Sequence, residues 1–224
     1  MSQCSLSPSE PERASPSLES AGMWKAWVVL CMAEAQRMGL TPVTTAQLHV
    51  ILYLANTLAD LYGVTRVRGR VLKRGAYPFF PDVQREVDRL AFAGVLTIEK
   101  VDFGTKGHLA AHYALGERGA QISQAIVSHS AEARRTAPLF RELVCACFGS
   151  FLYERADIGA IDANYGDALV LEGEVVDFSE WSTDNKNMGL ARLLIDKLRA
   201  LRPDAQRDGV RLYCDYLDKA IAPA

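Results

Sequence analysis

The sequence predicts a mainly α-helical (α+β) protein: a winged-helix domain with a β-hairpin wing, followed by a C-terminal helical domain. Three segments with apolar residues at helical spacing succeed one another between residues 23 and 94. Two apolar-alternating segments on either side of GTKG follow directly and predict a hairpin. From residue 129 onward the remaining periodicity is that of helices.

The composition excludes several classes of protein. The chain has 224 residues, of which 49% are hydrophobic and 23% charged, as in an ordinary soluble globular protein. The net charge of -2 gives no overall attraction to nucleic acid or to an anionic membrane. No apolar run approaches the roughly 20 residues that a membrane-spanning helix needs. The five cysteines are odd in number and irregularly spaced, which indicates reduced thiols and a cytoplasmic location.

The first two helices follow a polar leader. Residues 1–22 are rich in serine and proline and are predicted to be disordered, because they offer too little to bury. Helix one begins at Met23 and ends at Gly39. Helix two begins at a capping box formed by Thr44 and Gln47 and closes at Gly63.

The third helix and the hairpin complete the predicted winged-helix domain, residues 23–128. Pro81 suits the first helical position, where its missing N–H costs nothing. The buried stripe of this helix consists of Val83, Val87 and Leu90, and Gly94 stops it. After the hairpin, a helix over residues 119–129 is expected to pack behind it.

Residues 129–224 are predicted to form the helical domain. A long helical segment over residues 131–152 contains Pro138, which either divides it or marks a start. A second helix near residues 184–201 is ended by Pro203. The last helix carries its apolar stripe on Val210, Tyr213, Cys214, Leu217 and Ile221.

The sequence contains none of the common catalytic motifs. It lacks a phosphate-binding loop, a nucleophile elbow, a zinc-protease motif and a dinucleotide fingerprint. His108 and His112 would lie roughly 13 Å apart along one strand, which is too far to chelate one ion. We therefore expect no enzymatic activity, no cofactor and no metal.

A basic segment precedes the third helix. The run VTRVRGRVLKR contains no acid, and its basic residues are Arg66, Arg68, Arg70, Lys73 and Arg74. It is either a connecting segment with a solvated basic face or a patch for phosphates or an acidic protein surface. If it binds DNA, the contact should be independent of sequence, because it supplies charge and no base-reading helix.

Three rings stand in a proline-bracketed loop at the start of the third helix: Tyr77, Phe79 and Phe80. We expect Phe79 or Phe80, or both, to fill the core between helices two and three, and one ring to stay at the surface beside the basic segment. Arginine and aromatic side chains dominate protein-interface hot spots. The rings, with Arg85 and Arg89 of the third helix, are therefore a candidate partner interface.

The charge of the third helix weighs against DNA reading. In a DNA-binding winged helix the third helix enters the major groove. Here Gln84, Arg85 and Arg89 are accompanied by three carboxylates, those of Asp82, Glu86 and Asp88. We expect all three carboxylates to enter the groove, where they would oppose binding to phosphates.

These segments resemble a known family. The run LHVILYLANTLADLYG, followed by GRVLKRGAYPFFPDVQREVDRLAFAGVL, resembles the middle component of ABC-three-component systems, a group that includes the small subunit of Lamassu-type antiphage defence. The cues are a long helix ending in Leu-Tyr-Gly, a tyrosine–proline loop, and a helix that ends before a hairpin. The segment ERADIGAIDANYGDA (154–168) looks like the family's C-terminal helix-and-aromatic segment. The likeness covers most of residues 43–170, and the same cues overlap with Panacea-type antitoxin domains.

The resemblance implies a non-catalytic adaptor. Such a subunit would bridge an SMC-like ATPase that senses DNA and an effector, often a nuclease, which it helps to hold inactive. The leader, the basic segment and the ring loop would be its contact surfaces, with a sequence-independent DNA contact at the basic segment and no membrane. Two alternatives stay open: a winged-helix DNA-binding transcriptional regulator, and an antitoxin-like module.

Overall fold

The computed structural model describes residues 18–67, 69–74, 77–103, 109–148, 175–177 and 206–221, with shorter stretches between 189 and 200. This part of the chain is mainly helical with two small antiparallel sheets, which confirms the mainly α, α+β class. The helices are α1 Leu18–Arg37, α2 Thr45–Leu58, α3 Pro81–Phe92, α4 Glu117–His129, α5 Ala131–Phe148 and α6 Gln206–Ile221, and a 3-10 turn spans Ala59–Tyr62. The strands are β1 Val43–Thr44, β2 Arg70–Arg74, β3 Tyr77–Phe79, β4 Leu96–Phe103, β5 Leu109–Leu115 and β6 Val175–Asp177. Among these helices, none is both long enough and apolar enough to cross a bilayer.

The first sheet has the order β1-β5-β4. Strands β4 and β5 form the predicted hairpin, with a register running from Leu96 opposite Leu115 to Phe103 opposite Leu109. Strand β1 pairs with the other side of β5 and so joins the segment before α2 to the hairpin. The turn sequence GTKG and His108 lie outside the described residues.

The second sheet, of order β3-β2-β6, corrects the expectation of a connecting segment and a ring loop between α2 and α3. Residues 70–74 and 77–79 form a hairpin. Strand β6, which comes more than a hundred positions after β2, pairs with β2 and places Arg70 opposite Asp177. Pro78 is accommodated because β3 lies at an edge of this sheet, where a missing N–H costs no ladder bond.

Helix ends follow local signals, with one correction. The helices before Gly39, Gly63 and Gly94 end as expected, since each glycine adopts a positive φ. Helix α1, however, begins at Leu18, five positions before the expected start, so residues 18–22 belong to a helix and not to a disordered leader. Leucine, glutamate and alanine in this stretch favour a helix, and one glycine costs only about 1 kcal/mol. Residues 1–17 lie outside the described part.

Helix α1 lies at the centre of a single buried cluster. The rings of Trp27 and Phe140 meet edge to face with centroids 5.5 Å apart, which places α5 directly on α1. Helix α6 adds its buried face to α5. Pro138 lies inside α5 without dividing it. The buried cluster therefore continues across the expected domain boundary at residues 128–129.

Two buried carboxylates tie α1 to its neighbours. Glu34 of α1 is 2% exposed and lies 3.1 Å from the Nε of Arg141 in α5. Glu86 of α3 is also 2% exposed and lies 3.4 Å from the Nζ of Lys25 in α1. Each carboxylate has a second cation three residues further along its own helix. Because a buried charge is costly without a partner, these ion pairs fix how α3 and α5 sit on α1.

Candidate interaction surface

Helix α3 turns one face to the core and one to solvent. Val83, Val87 and Leu90 are buried, as the spacing predicts. Glu86 is buried among them and faces Lys25 of α1. The expectation that three carboxylates of this helix face outward together is therefore wrong for Glu86. The burial of Glu86 could have been predicted from the helical periodicity, because position 86 lies three residues after Val83 and four before Leu90.

The solvent face of α3 carries what we call the α3 stripe, formed by Arg85, Asp88, Arg89 and Phe92. Positions 85, 89 and 92 have the i, i+4, i+7 spacing of one helix face. Arg85 is paired with Asp82 at 3.2 Å and Arg89 with Glu86 at 2.6 Å. Phe92 is 97% exposed. The stripe is thus nearly charge-balanced and ends in an open aromatic ring.

The loop rings divide between core and surface. Phe80 is completely buried, with its ring centroid 5.4 Å from that of Trp24, which confirms the core assignment for at least one ring. Phe80 is therefore not accessible to a partner. Tyr77 and Phe79 are half-buried, and each keeps part of its area accessible. Their ring centroids lie 6.4 Å and 4.8 Å from that of His49.

His49 connects the ring strand to α3 and to the first sheet. Its Nδ1 accepts a hydrogen bond from the Phe80 N–H, so Nε2 carries the proton and donates to the Gln84 side-chain oxygen at 3.2 Å. The Gln84 amide then donates to Asp88 at 2.8 Å and to the Tyr113 hydroxyl at 3.3 Å. Complete burial lowers the pKa of His49 to about 4, against the opposing effect of the Gln84 hydrogen bond. The neutral imidazole is a structural link and not a general base poised near neutral pH.

The basic segment is partly engaged within the chain. Arg66 lies 2.5 Å from the carboxylate of Asp60, which also lies 3.4 Å from Arg192. The side chain of Asn56 both donates to and accepts from the backbone of Val67, at 3.0 Å and 2.8 Å, and so anchors the segment to α2. The backbones of Arg70, Lys73 and Arg74 belong to β2, whereas Arg68 and the side chains of these three residues lie outside the description.

The β4–β5 hairpin exposes apolar side chains that the sequence argument missed. Phe103 is 83% exposed, Ile98 53% and Val101 49%. On the other face, Asp102 lies 2.8 Å from Lys100 and 2.9 Å from the Nε2 of His112. Lys100 and, less strongly, His112 lower the pKa of this carboxyl. Ile98 lies on the same sheet face as the buried Leu96 and Tyr113, and the register shift after Ile98 keeps Val101 and Phe103 on that face too. Their exposure could not be predicted from alternation, which assigns a face of the strand and does not show how far that face is covered.

Within the part of the chain that the structure describes, no three His, Cys, Asp or Glu side chains are placed to hold a metal ion. The chain matches no protein-family model and no curated protein.

Proposed function

We propose that the chain is a non-catalytic adaptor subunit of a multiprotein antiviral complex, of the type represented by the middle component of ABC-three-component systems. In this role it bridges an SMC-like ATPase and an effector and helps to control the effector. The observation that carries the proposal is the α3 stripe. Two arginines held by carboxylates and one open phenylalanine on a single helix face have the composition of a protein-interface hot spot.

The arrangement around α3 supports a winged-helix architecture for this half. Helix α1, strand β1, helices α2 and α3, and the β4–β5 hairpin follow one another in the winged-helix order, with β1 joined to β5. The second sheet is inserted between α2 and α3. In DNA readers of this architecture the third helix enters the major groove. A groove-facing helix that neutralises phosphates needs free cations, whereas Arg85 and Arg89 already have acidic partners.

The rival function is that of a DNA-binding regulator. One observation favours it. Because Glu86 is buried, the outer face of α3 carries two acidic residues, Asp82 and Asp88, and two basic ones, Arg85 and Arg89, so its net charge is less negative than the sequence indicates. A regulator would bind one duplex tightly and selectively on its own, and its affinity would fall steeply with salt.

Two measurements separate these functions. Affinity purification of the tagged chain from its native cells should recover a large ATPase in stoichiometric amount, and a gel shift with the purified chain should show no preference among duplexes. Nanomolar, sequence-selective binding by the purified chain without any co-purifying ATPase would contradict the adaptor and establish the regulator.

A further inference from the structure

The basic segment, residues 64–74, has an acidic counterpart far along the chain. The basic segment holds five basic residues and no acidic one, whereas residues 156–185 hold eight acidic residues and no basic one. We call residues 156–185 the acidic segment, and its acidic residues are Asp157, Asp162, Asp167, Glu172, Glu174, Asp177, Glu180 and Asp184. Because runs of opposite charge attract, the sequence provides a partner for the basic segment within the same chain.

The second sheet brings these two segments together. Strand β6, Val175–Asp177, is the part of the acidic segment that the structure describes, and it pairs antiparallel with β2 of the basic segment. The register sets Asp177 opposite Arg70, and the two valines of β6 opposite Val71 and Leu72. Opposite charges at directly opposite positions stabilise an antiparallel pair. Since a shift of one residue would lose this match, the charged and the apolar residues select the same register.

Strand β2 is held in place independently of β6. Its other edge pairs with β3, its Val71 is fully buried, and Asn56 binds the backbone of Val67 shortly before it. Strand β6, by contrast, has three residues and, among the described strands, pairs with β2 alone. Segments with few hydrogen bonds and few packing contacts open at a low free energy. Opening of β6 therefore leaves β2 where it is.

We propose that β6 is a displaceable acidic cover, which competes with the phosphate backbone of duplex DNA for the basic segment. In the covered state Arg70 stands opposite Asp177, and Arg66 lies 2.5 Å from the carboxylate of Asp60. Both cations are thus opposed by acids of the same chain, and binding to phosphates is weak. When β6 leaves, Arg70 loses the acid that opposes it and phosphates gain access to β2.

The composition of the basic segment favours phosphate as the ligand. Four of its five basic residues are arginines, whose planar guanidinium group matches a phosphate with two parallel hydrogen bonds. Each cation that binds a phosphate also releases counterions from the DNA, which adds affinity at low salt. The contact is independent of base sequence, because a strand that supplies charge reads no base edges. The cover is a property of this chain alone and does not depend on the adaptor role.

Two variants of the full chain remove the cover in different ways. Asp177→Asn removes the opposing charge and keeps the strand. Val175→Pro combined with Val176→Pro disrupts the strand and keeps the charge, because successive N–H groups point to opposite edges and one of the two prolines deletes a donor that faces β2. Fluorescence anisotropy with a labelled duplex of mixed sequence, in about 50 mM salt, measures DNA affinity. Each variant should bind about fivefold more tightly than the wild type, and the gain should shrink at about 200 mM salt.

A control and a double variant show whether the gain arises at β2. Asp215→Asn removes the same charge from an exposed position on α6, so it should leave the DNA affinity within about twofold of the wild type. Combined with Arg70→Gln, Asp177→Asn should lose most of its gain, because the cation that it would free is absent. Circular dichroism melting establishes that each variant folds.

Three outcomes would overturn the proposal. The first is equal DNA affinity of the wild type and the folded variants. The second is an equal gain from Asp215→Asn, which would reduce the effect to net charge. The third is tighter binding of polyglutamate without tighter binding of DNA, which would assign the basic segment to an acidic protein surface. Because none of these measurements involves an ATPase, failure of the cover and failure of the adaptor role are separate results.

Discussion

Gly119 of α4 packs against Val95, which precedes β4, and against Leu115 of β5. A Cβ at this position would stand 2.3 Å from the carbonyl oxygen of Val95 and 2.6 Å from Leu115. Gly119→Ala should therefore destabilise the protein by about 2 kcal/mol, since the clash outweighs the gain in helix propensity. Gly22→Ala is the matched control, because Gly22 also lies in a helix but has open space around it. It should stabilise the protein by up to about 1 kcal/mol. Chemical denaturation of both variants measures the contrast, and equal effects would refute the tight packing of α4.

His49 makes the free energy of unfolding depend on pH in the acid range. Its pKa is about 4 in the folded chain and about 6.5 when exposed, so between these values the unfolded chain binds the proton and the folded chain does not. The stability that the fold gains by keeping His49 neutral is fully present above pH 6.5 and is lost as the pH falls toward 4. It amounts to about 3 kcal/mol.

The comparison with His49→Gln isolates this effect from other titrating groups. The variant lacks the titration, so the stability advantage of the wild type should shrink by about 3 kcal/mol between pH 7 and pH 4. Urea unfolding across this pH range gives the two curves. Parallel curves would show that His49 is protonated in the folded state or is not buried as described.

At the scale of elements, helix α3 is held to α1 through Glu86. Glu86→Gln removes the charge that faces Lys25 and Arg89, whose side chains are about half exposed, so we expect a loss of about 2 kcal/mol and not the full value of a buried pair. Arg85→Gln removes the other ion pair of the helix and should change stability by less than about 0.5 kcal/mol. Thermal unfolding of the two variants tests the difference. Equal losses would mean that burial of Glu86 contributes nothing.

The helix ends were predictable from sequence because their signals are local. The capping box of Thr44 and Gln47 forms as expected, with hydrogen bonds of 2.8 and 3.2 Å, and Pro81 occupies the first position of α3. Such signals act within a few residues. The second sheet could not be predicted in this way. Strand β2 is short, and its neighbour β6 comes about a hundred positions later, so its pairing depends on the tertiary fold.

The candidate surface was predicted only in part. The arginines at 85 and 89 lie on the solvent face, as a charged residue off the apolar stripe should. The sequence alone does not assign Phe79 and Phe80 to core or surface, because adjacent residues in an extended segment point in opposite directions. The burial of Phe80 depends on its contact with the ring of Trp24, which is far away in sequence. Sequence periodicity therefore predicts which helical residues face solvent better than it predicts whether an aromatic residue outside a helix is buried.

At the scale of the whole molecule, the two halves share one core. Phe140 of α5 covers Trp27 of α1, and Arg141 neutralises Glu34. A fragment of residues 1–128 would expose these groups, so we expect it to lose the cooperative thermal transition of the full chain. Circular dichroism melting of the fragment and the full chain checks this. A fragment that melts cooperatively near the temperature of the full chain would establish an independent N-terminal domain.

The most direct test of the adaptor role is the amount of ATPase that co-purifies with variants of the α3 stripe. Arg85→Glu combined with Arg89→Glu and Phe92→Ala should reduce recovery at least about tenfold, because truncated hot-spot residues each cost 1 kcal/mol or more. Arg135→Glu is the control, since Arg135 forms an ion pair of the same i, i+3 kind on α5. Loss of recovery in the stripe variant, with the control at wild-type level, is the result we predict. Equal recovery from the stripe variant and the wild type, with both folded, would contradict the account.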